Sequence, residues 1–360
     1  DITISLSRFR ELFVISHHSA FLLKGEDVTV EKAGRELGVR YILGGSVRRD
    51  EKRLRVMVAL TESDTGHRLW GERYDRPVDD IFVVQDELTE TIVATLAIHI
   101  AAEERRRTAH AETSSLRAYG LVLRGQQMLY QFERQSNAQA RWLYERALQL
   151  DARYARAYAA MSRTFNLDWR YSWAEAPRSL EKALELANAA VQLDPFDARG
   201  HSELGYVHLY RKEHDLSLAA YERALSLNPN DADMMADMAD ALSACGKPDE
   251  AVTLLERAMR LNPCYPDWYL WLLGGAYYQM RDYEQAIATT NSMHNLAEGR
   301  RVLAASYAQL GRMGEARAQA EEVLKVHPDF SLERWAAIQP DRNPDDTHHF
   351  IAGLRKAGLK

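Results

Sequence analysis

Ala224-Leu225-Ser226-Leu227-Asn228-Pro229 decides the fold of this chain. The phrase returns 34 residues later as Ala258-Met259-Arg260-Leu261-Asn262-Pro263, and stands 34 residues earlier as Ala190-Val191-Gln192-Leu193-Asp194-Pro195. A fixed period of this kind marks a stack of like supersecondary units, each burying its apolar face against its neighbours. Proline closes each unit because it has no amide hydrogen with which to extend a helix.

Between the prolines, small and apolar residues recur at the spacing of two packed helices, A and B. The third unit offers Leu204, Gly205 and His208 on helix A, then Tyr221 and Ala224 on helix B. The fourth has Met238, Ala239 and Leu242, then Ala251, Leu255 and Ala258. The fifth has Leu273, Gly274, Tyr277 and Ala286, and must end early, near Asn295. The sixth has Leu303, Ala304, Tyr307, Ala316, Ala320 and Pro328. Small residues let helix axes approach closely, and larger ones fill the space between them. Two less regular hairpins precede these, Leu116–Leu150 and Ala155–Pro195, the second with a longer connection around Trp169–Trp173. The period and its Asn-Pro ending resemble the tetratricopeptide repeat. The expected fold is therefore mostly α: a superhelix of five to six hairpins over 111–329, with a helical cap over 330–360. The cap is read from Leu332–Ile338 and His348–Ala357, since a solenoid end needs cover.

Residues 1–110 read as a small α/β domain. Ile2–Glu11 reads as a helix and Leu12–Ser16 as a short buried strand. Thr29 caps a helix running to Leu37, which Gly38 terminates. Tyr41–Arg49 is a strand. Leu54, Val56, Val58 and Leu60 then alternate with Arg53, Arg55, Met57 and Ala59, the period-two pattern of a half-buried strand. Ser63–Gly66 turns the chain and His67–Tyr74 returns. Ile81, Val84, Leu88, Ile92 and Leu96 form one stripe of a long helix ending in Arg105-Arg106-Arg107.

The run Gly34–Arg49, the run Gly66–Arg76 and Asp80–Glu87 resemble the TolB amino-terminal-like domain that precedes tetratricopeptide repeats in bacterial regulatory proteins. The setting is that of the class III adenylate/guanylate cyclase family, which the tail Phe350–Leu359 also resembles. The resemblance implies a cytoplasmic bacterial regulatory or scaffold segment, attached in its parent to a cyclase that makes cyclic AMP. No cyclase catalytic domain is present in this sequence. The alternative is the sensory region of a winged-helix transcriptional regulator without its DNA-binding domain.

The 360 residues carry a formal charge of −6, so the whole chain has no electrostatic bias towards nucleic acid. No apolar run reaches the length of a membrane span. Cys245 and Cys264 lack metal-ligand spacing and read as buried thiols in a reducing compartment. Gly44-Gly45-Ser46 leads into a strand and lacks a Lys-Ser/Thr ending, so it reads as a bulge or a close strand contact rather than a phosphate loop. His17-His18 and His348-His349 are adjacent pairs whose side chains diverge, and they read as surface residues. No catalytic residue, cofactor site or metal site is expected.

The exposed side of helices A is the candidate site. By register it carries Arg199, Ser202, Tyr206 and Tyr210, then Asp233, Asp237 and Asp240, then Trp268, Trp271 and Tyr278, then Glu298 and Arg301. Aromatic residues give contact area at small entropy cost, and the aspartates favour a cationic segment. The expected partner is a protein or peptide of basic or mixed character in the concave groove, or a second copy of the chain, with neither nucleic acid nor membrane. The competing reading packs Trp and Tyr between hairpins and leaves the aspartates solvated or capping helices.

Overall fold

A computed structural model describes residues 2–7, 14–23, 28–39, 41–49, 53–77, 113, 115–171, 173 and 176–360. Two short helices open the chain, α1 (Ile2–Ser7) and α2 (His17–Leu22), followed by α3 (Val30–Leu37). Thr29 accepts the Lys32 amide and Gly38 takes the left-handed conformation, so both ends of α3 are closed as the sequence dictates.

Strands β1 (Tyr41–Arg49), β2 (Arg53–Glu62) and β3 (Arg68–Pro77) form an antiparallel sheet in the order β1-β2-β3. Leu54, Val56, Val58 and Leu60 turn inwards while Arg53, Arg55 and Met57 face out, as their alternation requires. At Gly45 a Cβ would stand 2.3 Å from the Met57 carbonyl oxygen of the paired strand. Its glycine therefore serves close backbone approach. The sheet's register shift lies elsewhere, between Leu60 and Thr61.

The strand expected over Leu12–Ser16 is not formed at residues 14–16, the part that is described. Ser16 is committed elsewhere: its N–H donates to the Leu261 carbonyl at 2.7 Å, and its side chain caps α2. The long helix expected through Ile81–Leu96, its arginine end and the following linker lie outside the described residues.

Helical hairpins fill the rest. They are α4 (Leu116–Leu129) with α5 (Arg134–Leu150), α6 (Ala155–Arg170) with α7 (Ala176–Leu193), and α8 (Ala198–Tyr210) with α9 (His214–Leu227). Then come α10 (Ala232–Ala244) with α11 (Pro248–Leu261), α12 (Asp267–Gln279) with α13 (Tyr283–Asn291), and α14 (Arg300–Gln309) with α15 (Met313–Val326). Helix α13 has 9 residues, the shortening its sequence foretells. Its early end is fixed by Asp267, whose carboxylate accepts the His294 and Asn295 amides at 2.9 and 2.7 Å.

Small-against-large packing sets the hairpin spacing. A Cβ on Gly205 would meet the Tyr221 ring at 2.7 Å, one on Gly125 the Tyr144 ring at 2.3 Å, and one on Gly274 the Thr290 hydroxyl at 2.4 Å. Tyr144 and Tyr221 are wholly buried. Helices α9 and α11 stop at Asn228 and Asn262, the residues before the periodic prolines.

The C-terminal helices α16 (Leu332–Ala337) and α17 (Pro344–Lys356) cover the last hairpin through Ile351, Leu354, Ala357 and Leu359. They also reach back. The Arg342 N–H donates to the Ala244 carbonyl at 2.8 Å, and His214 Nε2 meets the Pro340 carbonyl at 2.5 Å. Neither cysteine is buried as expected. Cys245 is the half-buried C-cap residue of α10, and Cys264 is exposed in the turn after Pro263. Both occupy hairpin ends, where helix contacts no longer enclose a side chain. No helix among the described residues is long and apolar enough to cross a membrane.

Candidate functional site

Five A helices build the site, α4 through Tyr119, Leu123, Gln126 and Leu129. On α6, Arg156, Arg163 and Arg170 recur every seventh residue, two helical turns apart, and so share one face. On α8 the same face shows Arg199, Ser202, Glu203 and Tyr206; on α10, Asp233, Asp237 and Asp240; on α12, Trp268 and Trp271. With Tyr130, Tyr171, Asp231 and residues from the N-terminal helices, these line a cavity of about 700 Å³.

Arg163 organises its centre. Nε donates to Glu203 Oε1 at 2.9 Å, and Nη2 to Asp237 Oδ2 at 2.6 Å. The guanidinium also lies 4.5 Å from the Tyr206 ring centroid. One cation thus ties together α6, α8 and α10. Burial pushes the Glu203 carboxyl up to about 7, more than the attraction of Arg163 can offset. Burial likewise raises Asp237 and Asp240, against the pull of Arg163 and Arg170 respectively.

Arg170 is held between two aromatic faces, 4.9 Å from the Tyr210 centroid and 4.7 Å from that of Trp271. Tyr210 in turn donates to Asp240 Oδ2 at 3.2 Å. At the other end Asp231 caps α10 by accepting the Met234 amide at 3.1 Å. Asp233 accepts the Tyr269 hydroxyl at 2.7 Å and the Tyr130 hydroxyl at 3.0 Å. Burial and the charge of Asp233 push Asp231 up to about 7.

Of the sequence-derived candidates, Arg199, Ser202, Tyr206, Asp233, Asp237, Asp240, Trp268 and Trp271 converge on the cavity. Arg199 is committed to Asp197 at 2.8 Å. Tyr210 lies behind the lining, against Trp169 and Arg170. Tyr278 is only 1% exposed and donates to the His349 carbonyl at 3.2 Å, because α17 covers it. Glu298 and Arg301 pair with each other outside the lining. Sequence reasoning missed Arg156, Arg163, Arg170, Glu203 and Asp231. The seven-residue arginine spacing on α6 was the available signal; the bridging of Arg163 to two other helices was not readable.

The N-terminal helices close part of this face. Ser7 Oγ of α1 donates to Asn228 Oδ1 at 2.7 Å. The Ser19 hydroxyl of α2 donates to Asn262 Oδ1 and accepts the Cys264 N–H at 3.1 Å. Equivalent asparagines in successive repeats thus hold successive helices. His18 packs on Tyr130 with ring centroids 5.1 Å apart.

Residues 177–232, 208–269 and 244–295 match the tetratricopeptide repeat family. The chain carries tetratricopeptide repeats. A curated relative, "Putative adenylate cyclase 3" of Rhizobium meliloti (strain 1021), is 41% identical over 206 residues. That match covers 57% of this chain and 35% of the relative, so the chain spans about a third of that protein's length. Among solved structures, Pseudomonas aeruginosa PilF is similar at 17% identity with a TM-score of 0.42, over 59% of this chain and 93% of that one. A tetratricopeptide repeat protein of Thermus thermophilus is 17% identical with a TM-score of 0.40, over 66% of this chain and 99% of that one.

Proposed function

We propose that this chain is a non-catalytic regulatory segment whose repeat array binds a protein or peptide partner, within a longer bacterial protein of the adenylate cyclase kind. The observation that carries the reading is the docking of α1 and α2. A stretch of polypeptide already borders the face of helices A, held by Asn228, Asn262 and the Leu261 carbonyl at the C-terminal ends of two helices B. A surface that takes the chain's own segment through repeated side-chain and backbone contacts has the chemistry to take a partner's. The aromatic residues of the same face, with carboxylates and arginines side by side, favour a segment of basic or mixed character. By its sequence resemblance, the region before the array would serve as a TolB amino-terminal-like module that passes a change in the array to an attached cyclase. A partner does this only by binding one arrangement of the parent better than another.

Capture of peptides from an array of basic and mixed 12-residue sequences tests the reading. Wild type is expected to retain a subset that Trp271→Ala and Asp240→Ala lose; equal capture by all three would sink the groove assignment. In the longer parent, deletion of residues 2–107 is expected to abolish the cyclase response to a captured peptide.

A further inference from the structure

Asn228 and Asn262 do more than stop helices α9 and α11. Both are buried, and each gives its side-chain oxygen to a serine hydroxyl of the N-terminal helices. Asn228 Nδ2 donates to Asp231 Oδ2 at 3.3 Å, which leaves Oδ1 as the acceptor that Ser7 Oγ meets at 2.7 Å.

At the end of α11 the chemistry is narrower. The Leu261 carbonyl accepts the Ser16 N–H at 2.7 Å. Three residues on, the Ser19 hydroxyl accepts the Cys264 N–H at 3.1 Å and donates to Asn262 Oδ1. An acceptor and a donor thus converge on one oxygen. Among side chains a hydroxyl answers both through a single atom; an ammonium has no acceptor and an ionised carboxylate no donor. Ser19 is sealed in this place, so the match is made away from water.

The segment seated here is held by little else. Helices α1 and α2 have 6 residues each, too few to persist as helices on their own. Among the described residues, neither lies lengthwise along a helix of the array. Phe21 stays 52% exposed. Yet Thr3, His17 and Phe21 line the same space as Asp240 and Trp271, so a partner lying along the groove meets them.

We infer that α1 and α2 form a displaceable strap, and that a partner segment bearing a serine or threonine takes the place of Ser19 between Asn262 and Cys264 and lifts the strap from the groove. This rests on the partner-binding reading and adds what the partner must carry and what controls its entry. Because the strap belongs to the chain, it competes at high effective concentration and lowers the affinity of any segment in solution.

The probe is a labelled peptide of residues 14–24, Val-Ile-Ser-His-His-Ser-Ala-Phe-Leu-Leu-Lys, titrated into the full chain by fluorescence anisotropy. Ser19→Ala in the protein removes both hydroxyl bonds of the strap, so this variant is expected to bind the peptide about tenfold more tightly than wild type. A peptide with alanine in place of Ser19 is expected to bind about tenfold more weakly than its parent. That comparison does not depend on how well the variant folds. Amide exchange over residues 14–23 of the wild-type protein should quicken when the peptide binds. Equal binding by wild type and variant overturns the inference, as does equal binding of the two peptides or no binding at all. Retention of basic or mixed peptides by the array, with exchange over residues 14–23 unchanged, also overturns it and leaves the partner-binding reading standing. The converse result, exchange of the 14–24 peptide as expected but no basic or mixed peptide retained, supports the hydroxyl site and sinks the groove reading instead.

Discussion

Arg163 of α6 donates to Asp237 of α10 across 74 positions of sequence, with Nη2 to Oδ2 at 2.6 Å. The hairpins are next-but-one neighbours, and the same guanidinium meets Glu203 on the helix between them. Stacking of hairpins is therefore reinforced on the inner face by a buried charge triad as well as by apolar contact. Removing the cation strands two buried carboxylates, and breaking such an arrangement typically costs ~3–5 kcal/mol. Arg163→Met is expected to lower the urea midpoint sharply, followed by far-UV circular dichroism. Arg163→Lys should recover only part of the loss, since one ammonium cannot reproduce the planar fork.

The raised carboxyl of Glu203 gives a pH dependence of defined sign. Its folded value of about 7 lies above the ordinary 4.5 because of burial, with Arg163, Asp237 and Asn166 as its neighbours. The folded state then keeps a proton that the unfolded chain releases. The contribution is fully present below pH 4.5 and is lost as pH rises through 7. Glu203→Gln cannot titrate, so its stability relative to wild type should increase between pH 4.5 and pH 8. The change is up to roughly 3 kcal/mol. Parallel urea titrations of both proteins across that range measure it, and two parallel curves would contradict it.

Two glycines on helices A have opposite fates. Gly205→Ala places a methyl 2.7 Å from the sealed Tyr221 ring. Overpacking of this kind costs about 1–3 kcal/mol, more than the helix propensity gained, so the melting temperature should fall. Gly275 faces open space within 4 Å of its would-be Cβ. There Gly275→Ala should raise the melting temperature, worth roughly 0.5–1 kcal/mol. Differential scanning calorimetry of the pair checks both signs.

Ser7→Ala/Ser19→Ala removes the hydroxyls that Asn228 and Asn262 receive. Each such bond is worth about 1 kcal/mol net. Amide exchange over residues 14–23 should therefore quicken about tenfold or more, while α10 and α11 keep their protection. Loss of protection throughout the array would instead show that the N-terminal helices are integral to its fold.

The repeats were legible because a local rule generates them. The Asn228-Pro229 and Asn262-Pro263 endings, and Gly205 set against Tyr221, each state a contact within one hairpin or with the next. Such contacts recur at a fixed sequence distance and leave a period. The capping of α3 by Thr29 and Gly38 and the alternation in β2 were legible for the same reason: each depends on neighbours a few residues away. Eight of the twelve groove candidates reached the cavity, since helical register alone places Asp233, Asp237 and Asp240 on one face.

What tertiary structure decided is everything that joins distant segments. Nothing in the sequence brings Ser19 to Asn262, Arg163 to Asp237, or α17 over Tyr278. Those contacts depend on how the stacked hairpins and the two ends of the chain meet in space. Burial there, rather than residue type, fixes which carboxyls keep a proton and which aromatic rings are closed off.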